Sequence, residues 1–171
     1  FEPEVLKVYA KHYQTGEGIP QELVDKIVKS SKYGQGFATV EYLAASLLDM
    51  DYHTLKEQLP GMDIEAFEAE AMNKRGLIRQ IPPRYRTTYF GHTMEGGYTA
   101  GYYSYIWAEV LDADAFEAYK ETGDIFNPEV ASKFRKYVLT PGGIDDAMDM
   151  YKNFRGKEPG IEPLLKNRGL K

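Results

Sequence analysis

The chain has 171 residues, 43% of them apolar and 27% charged, with a formal net charge of −5 and no cysteine. That balance suits one soluble globular domain with a sizeable core, and it excludes disulfides and thiolate chemistry. An acidic chain with no visible basic face argues against a nucleic-acid partner, and no apolar run approaches the roughly 20 residues that a membrane span needs.

The apolar spacing is mostly helical. Val5, Leu6, Val8 and Tyr9 make a short stripe after Pro3, a residue suited to a first helical turn. TGEGIP (15–20) ends it, and Pro20 opens a second helix with Leu23, Val24, Ile27 and Val28 on one face. Gly34 and Gly36 interrupt again. From Phe37 to Met50, Val40, Leu43, Ala44, Leu47 and Leu48 recur at spacings of three and four, which predicts a well-buried helix. LPGMD (59–63) is a turn, and Asp63 is suited to cap a short helix over 64–74.

Pro82 and Pro83 disfavour helix between Gly76 and Pro83, and 84–97 reads as a loop. A long helix is predicted from about Thr99 to Glu121, carrying Tyr103, Trp107, Val110 and Leu111 inward. Pro128 starts another, through Leu139. PGG (141–143) then turns the chain into a last long helix with Ile144, Met148, Tyr151 and Phe154 on one face. The tail from Lys157 closes with a short turn, EPLLKNRG. The expected fold class is mainly α with few or no strands, as a single helical unit over 1–171 without repeats.

Histidine spacing offers no metal grip. His12, His53 and His92 stand about 40 residues apart, with no HExxH and no pair at i, i+4. His12 reads as a helix C-terminal residue and His53 as a partly buried helical one, both structural. There is no GxSxG, and Ser30, Ser31, Ser46, Ser104 and Ser132 lack a visible base. The acidic clusters DMD (49–51), EAEA (68–71) and DDAMD (145–149) read as solvated helix faces, and nothing selects a glycosidase-type carboxylate pair among them.

The richest stretch is Arg84 to Glu109, which holds His92, the pair Gly96-Gly97 and six tyrosines in 26 residues. Glycines allow close backbone approach, while phenols and imidazole give directional hydrogen bonds. Gly96, Gly97 and Gly101 do not make a nucleotide-binding GxGxxG after a strand. Tyr98, Tyr102 and Tyr105 stand at i, i+4 and i+7, so a helical continuation puts them on one face. Neutral phenols there suit an oxygen that gains negative charge in a reaction. The plain alternative is a flexible turn followed by packing aromatics, in a chain with 14 tyrosines.

RYRTTYFGHTMEGGYTAGYYSYIWAEVLDADAF (84–116) resembles the C-terminal part of the thimet oligopeptidase, neurolysin and peptidyl-dipeptidase group of zinc metallopeptidases. The spacing from His92 through Gly96-Gly97-Tyr98 to Tyr102-Tyr103-Ser104-Tyr105 is most similar to its bacterial peptidyl-dipeptidase branch. KHYQTGEGIPQELVDKI, FATVEYLAASLLDMDYHTL, FRGKEPGIEPLL and RGL resemble the same family in the same order, so the likeness covers essentially the whole chain.

The resemblance implies the C-terminal helical portion of a zincin-type catalytic domain, from a cytoplasmic enzyme acting on short peptides. In that family an HExxH helix and a glutamate on the following helix hold zinc, upstream of the part resembled here. Zinc is thus the cofactor of the intact enzyme, with none ligated by this chain. By resemblance His92, Tyr98 and Tyr105 bind the substrate backbone and stabilise the tetrahedral oxyanion. Gly96, Gly97 and Tyr102 would contact substrate, with the loop from Thr93 to Gly97 flexing around the peptide.

The chain starts at Phe1 and no signal peptide precedes the first helix, so it is expected to be a fragment or a processed product, inactive alone. Its implied partners are short peptides and the missing N-terminal part of the same enzyme, with a large exposed apolar patch or self-association that covers it. The alternatives are a self-standing helical module that binds a peptide or sugar, and an unrelated acid–base hydrolase using two of the carboxylates.

Overall fold

In a computed structural model, residues 2–57 and 60–171 are described. The helices, in chain order, are α1 (Pro3–Tyr9), α2 (Gln21–Ser30), α3 (Gln35–His53), α4 (Ile64–Lys74), α5 (Gly91–Met94), α6 (Ser104–Lys120), α7 (Pro128–Phe134), α8 (Ala147–Arg155) and α9 (Glu162–Asn167). A 3-10 turn spans Thr87–Tyr89, and a π-helical stretch, Arg135–Leu139, continues α7. The chain is mainly α, and among the described residues the only β pairing is an isolated bridge between Lys11 and Gly18. Its contacts gather into two compact units: Gly34–Ala108, and Glu109–Lys171 together with the segment up to Tyr33.

The unit from Gly34 to Ala108 is organised around α3. Gly34 precedes the helix at φ 70°, a left-handed conformation that glycine adopts freely. Gly36, expected to break the chain, lies inside the first turn instead. A glycine within a helix costs only about 1 kcal/mol, which packing of the following residues outweighs. The predicted turn at 59–63 is described from Pro60 onward, with Pro60 and Gly61 in a turn; Leu59 lies outside the described residues. Asp63 caps α4 as expected, its carboxylate accepting the N–H groups of Glu65 at 3.1 Å and Ala66 at 3.0 Å.

Three faces of α3 have three fates. Tyr42 and Ala45 pack with Phe90 and Tyr102 against Tyr85 and Ile106. Ala44 and Leu48 pack with Ala71 and Met72 of α4. Val40, Leu43 and Leu47, expected in a continuous core stripe, are 38%, 37% and 41% exposed. Spacings of three and four mark a helix correctly, yet they cannot say which part of a wide apolar face has a neighbour.

The stretch 84–97, expected as a loop, contains the 3-10 turn and α5. A distant partner orders it: the Glu68 carboxylate on α4 accepts the Thr87 N–H and hydroxyl, each at 2.8 Å, and pairs with Arg86. Helix α6 begins at Ser104, five residues after the predicted start. Tyr103 and Trp107, predicted inward, are half-exposed.

In the other unit, α1 buries Leu6 and α2 buries Val24, while Val8, Tyr9, Leu23 and Val28 remain exposed. Asn127 and Asp146 cap α7 and α8 through side-chain oxygens. The Asp146 cap fixes the start of α8 at Ala147. Ile144, expected on its inner face, therefore lies before the helix and is 84% exposed. Tyr151 and Phe154 are buried as predicted, and the closing EPLLKNRG carries α9 instead of a bare turn. His12 lies beyond the end of α1, where its Nδ1 accepts the Thr15 N–H at 3.3 Å.

Candidate active site

The tyrosine loop is a hydrogen-bonded coil of backbone between α5 and α6. The N–H groups of Glu95 and Gly96 both donate to the Gly91 carbonyl at 3.0 Å, and Gly101 donates to Tyr98 at 2.8 Å. Tyr98 donates to the His92 carbonyl at 3.3 Å, and the Thr99 hydroxyl to that of Thr93 at 2.9 Å. A Cβ on Gly96 would stand 2.8 Å from the His92 carbonyl oxygen. The close approach that needs this glycine is thus one of the chain to itself. Gly97 has nothing within 4 Å of such an atom, so its lack of a side chain leaves open space.

Tyr98 and Tyr102 precede α6 in turns, so the three tyrosines do not share a helical face. They meet nonetheless. Tyr98 and Tyr105 stack with centroids 5.1 Å apart, Tyr102 meets Tyr105 edge-on at 5.3 Å, and His92 lies 6.1 Å from Tyr98 and 5.7 Å from Tyr102. Between the two stacked residues the backbone passes through Ala100 at φ 52°, a left-handed conformation that costs a residue with a Cβ about 1–2 kcal/mol. Ala100 thus lies off the helical path, within the turns that precede α6.

Burial separates the six sequence-derived residues. Tyr98 and Tyr105 are 39% and 38% exposed, His92 is half-buried, and Gly96 and Gly97 are exposed. Tyr102, expected against substrate, has its ring in the core with Tyr42 and Phe90. Burial pushes its phenol up from the ordinary value. The Tyr105 phenol is pushed up to about 12, first by its hydrogen bond with Tyr98 and then by lost solvation. Both rings therefore carry neutral, protonated phenols at any physiological pH.

Sequence reasoning overlooked the residues behind the loop. Tyr85 lies 4.8 Å from His92 and stacks on Phe90 at 5.3 Å, making a back wall for the imidazole. Its position within the aromatic stretch was the available signal. Asp49, read as part of a solvated cluster, is fully buried, and Glu68 is buried too. The Asp49 carboxylate accepts the N–H groups of Ala100 at 3.1 Å and Tyr102 at 3.0 Å. No spacing rule marks a carboxylate whose partners lie 51 and 53 residues away.

Chemically, the arrangement offers two half-exposed hydroxyl donors and an imidazole to an oxygen-rich ligand. Among the described residues no three His, Asp or Glu side chains group to hold a metal, and the His53 Nδ1 lies 2.8 Å from both the carbonyl and the Oδ1 of Asp49.

Comparison with known proteins places the chain in a family. The chain is 40% identical to dipeptidyl carboxypeptidase of Escherichia coli K12 over 98% of its own length and 25% of that protein. It is 38% identical to oligopeptidase A of the same strain, over 100% and 25%. With saccharolysin of Saccharomyces cerevisiae the identity is 34%, over 94% and 22%. The chain thus spans about a quarter of the length of these curated relatives. The family model described as Peptidase family M3 matches residues 1–170, and the chain belongs to that family.

Proposed function

We propose that this chain supplies the substrate-binding and oxyanion-stabilising wall of a cytoplasmic peptidase that releases dipeptides from, or cleaves, short oligopeptides. The observation that supports it most is the convergence of His92, Tyr98 and Tyr105, with both phenols half-exposed, in a chain of family M3. A neutral phenol is a donor. It binds a peptide carbonyl moderately and binds the same oxygen more strongly as negative charge develops, which is how differential binding lowers a barrier. In this reading Tyr98 and Tyr105 exchange the hydrogen bond between them for one each to that oxygen, His92 binds the substrate backbone, and Gly97, with open space around it, lets the peptide lie close to the main chain. Tyr102 acts from beneath, its ring holding Tyr105 edge-on.

The zinc of the whole enzyme would be held by residues outside those described, supplying the activated water when bound. Hydrolysis then needs both parts of the enzyme, so the 171-residue chain alone is inactive.

The test is peptide hydrolysis by the intact peptidase that contains this chain. Tyr98→Phe and Tyr105→Phe should each lower kcat by about 10²–10³, the cost of removing one oxyanion donor, with KM little changed. The isolated chain should show no turnover of the same peptide with zinc added. Unchanged kcat in both variants, or hydrolysis by the isolated chain, overturns the reading.

A further inference from the structure

We propose that Asp49, assisted by Tyr42, is the positioning residue of the tyrosine loop: it holds residues 100–102 so that Tyr98 and Tyr105 converge. The inference rests on the oxyanion role given to those two phenols above. Its own basis is the buried face of α3. Asp49 reaches the loop with both carboxylate oxygens, Oδ1 accepting the Ala100 N–H at 3.1 Å and Oδ2 the Tyr102 N–H at 3.0 Å. Seven residues earlier on the same face, the Tyr42 hydroxyl donates to the Tyr102 carbonyl at 2.7 Å and accepts the Ile106 N–H at 3.2 Å. Two side chains thus grip three peptide units in the short span that separates Tyr98 from Tyr105.

The grip falls where the backbone most needs it. Ala100, at φ 52°, is the one non-glycine residue with positive φ among those described, and such a conformation persists only when its surroundings enforce it. Asp49 binds the N–H of that very residue. His53, one turn on, brings its Nδ1 to 2.8 Å from both Oδ1 and the Asp49 carbonyl oxygen.

A fully buried carboxylate is a costly way to stabilise a helix, and an apolar residue of similar volume often serves stability as well or better. What the charge provides instead is a two-oxygen template that sets the spacing of two backbone donors. Asn at this position keeps one acceptor and turns an NH₂ towards an N–H, so one of the two peptide units is released.

A double-mutant cycle in the intact peptidase separates positioning from general support. Asp49→Asn should lower kcat by about 10- to 100-fold, as expected when donors shift by a fraction of an ångström, with KM changed by less than about threefold. On a background that lacks both hydroxyls, Tyr98→Phe with Tyr105→Phe, the same substitution should cost less than about threefold further, because both groups it positions are already gone. Losses that simply multiply overturn the proposal, since an independent structural role predicts that result. Wild-type kcat in Tyr98→Phe alone overturns instead the reading of the site on which it rests. If Asp49→Asn gives no folded enzyme, Tyr42→Phe, which removes a single hydroxyl from the same grip, enters the cycle in its place under the same criteria.

Discussion

Tyr98 and Tyr105 stack at 5.1 Å, and the hydrogen bond between them does more to Tyr105 than burial does. Its folded pKa is raised to about 12 from 10.0, so the folded state favours the protonated phenol. The contribution to stability is complete below pH 10 and is lost as pH rises from there through 12. Ultraviolet titration of phenolate should therefore find Tyr105 ionising late, and Tyr98→Phe should move that midpoint down towards 10.0. A midpoint indifferent to Tyr98 would show that the two hydroxyls are not coupled. Gly96 acts at the same scale: any side chain there presses on the His92 carbonyl and shifts the residue that carries the imidazole.

Helix α6, in its part beyond Glu109, is tied to α8 by charge buried between them. Asp114 on α6 accepts the Tyr151 hydroxyl at 2.6 Å and the Arg155 Nε at 3.1 Å, and Arg155 also pairs with both oxygens of Glu121 at 2.7 Å. Both Asp114 and Arg155 are almost fully buried, whereas Glu121 is half-exposed. Arg155→Ala leaves a buried carboxylate without its counter-charge and should cost about 3 kcal/mol in chemical denaturation, near the low end for such a loss because Tyr151 remains. Glu121→Gln should cost under about 1 kcal/mol, as solvent screens that partner. Equal losses in the two variants would contradict this division. Arg155 also holds the Glu121 carboxyl below its usual 4.5, so the stability it lends is present above that pH and falls as pH drops further.

For the whole molecule, the decisive surface is the outer face of α3. Val40, Leu43 and Leu47 line a groove of about 320 Å³ with Leu77, Ile78 and Ile81, and the first three are each more than a third exposed. Contiguous apolar surface of this kind marks a contact in monomeric proteins, and the relatives carry about four times as much chain as is present here. The isolated chain is expected to self-associate through it. Sedimentation should show a concentration-dependent rise in mass that Leu43→Glu with Leu47→Glu abolishes. A wild-type chain that stays monomeric at high concentration would argue against the face as a contact surface.

Local rules determined a good deal of this protein unaided. The breaks at Gly34, Pro60-Gly61 and Pro82-Pro83, the cap at Asp63, and the helical identity of α2, α3, α4 and α7 are fixed by residues within a few positions of each other. The collection of His92, Tyr98 and Tyr105 into one stretch was equally visible. Tertiary structure decided which apolar faces are covered, since burial depends on neighbours that periodicity does not encode. It also decided the geometry of the site: a left-handed Ala100 meets a carboxylate some 50 residues upstream in the turns between the phenols, where a continuous helix would have set the rings in line. Hydrogen bonds that close such long intervals leave no local trace, because each partner alone looks like an ordinary surface residue.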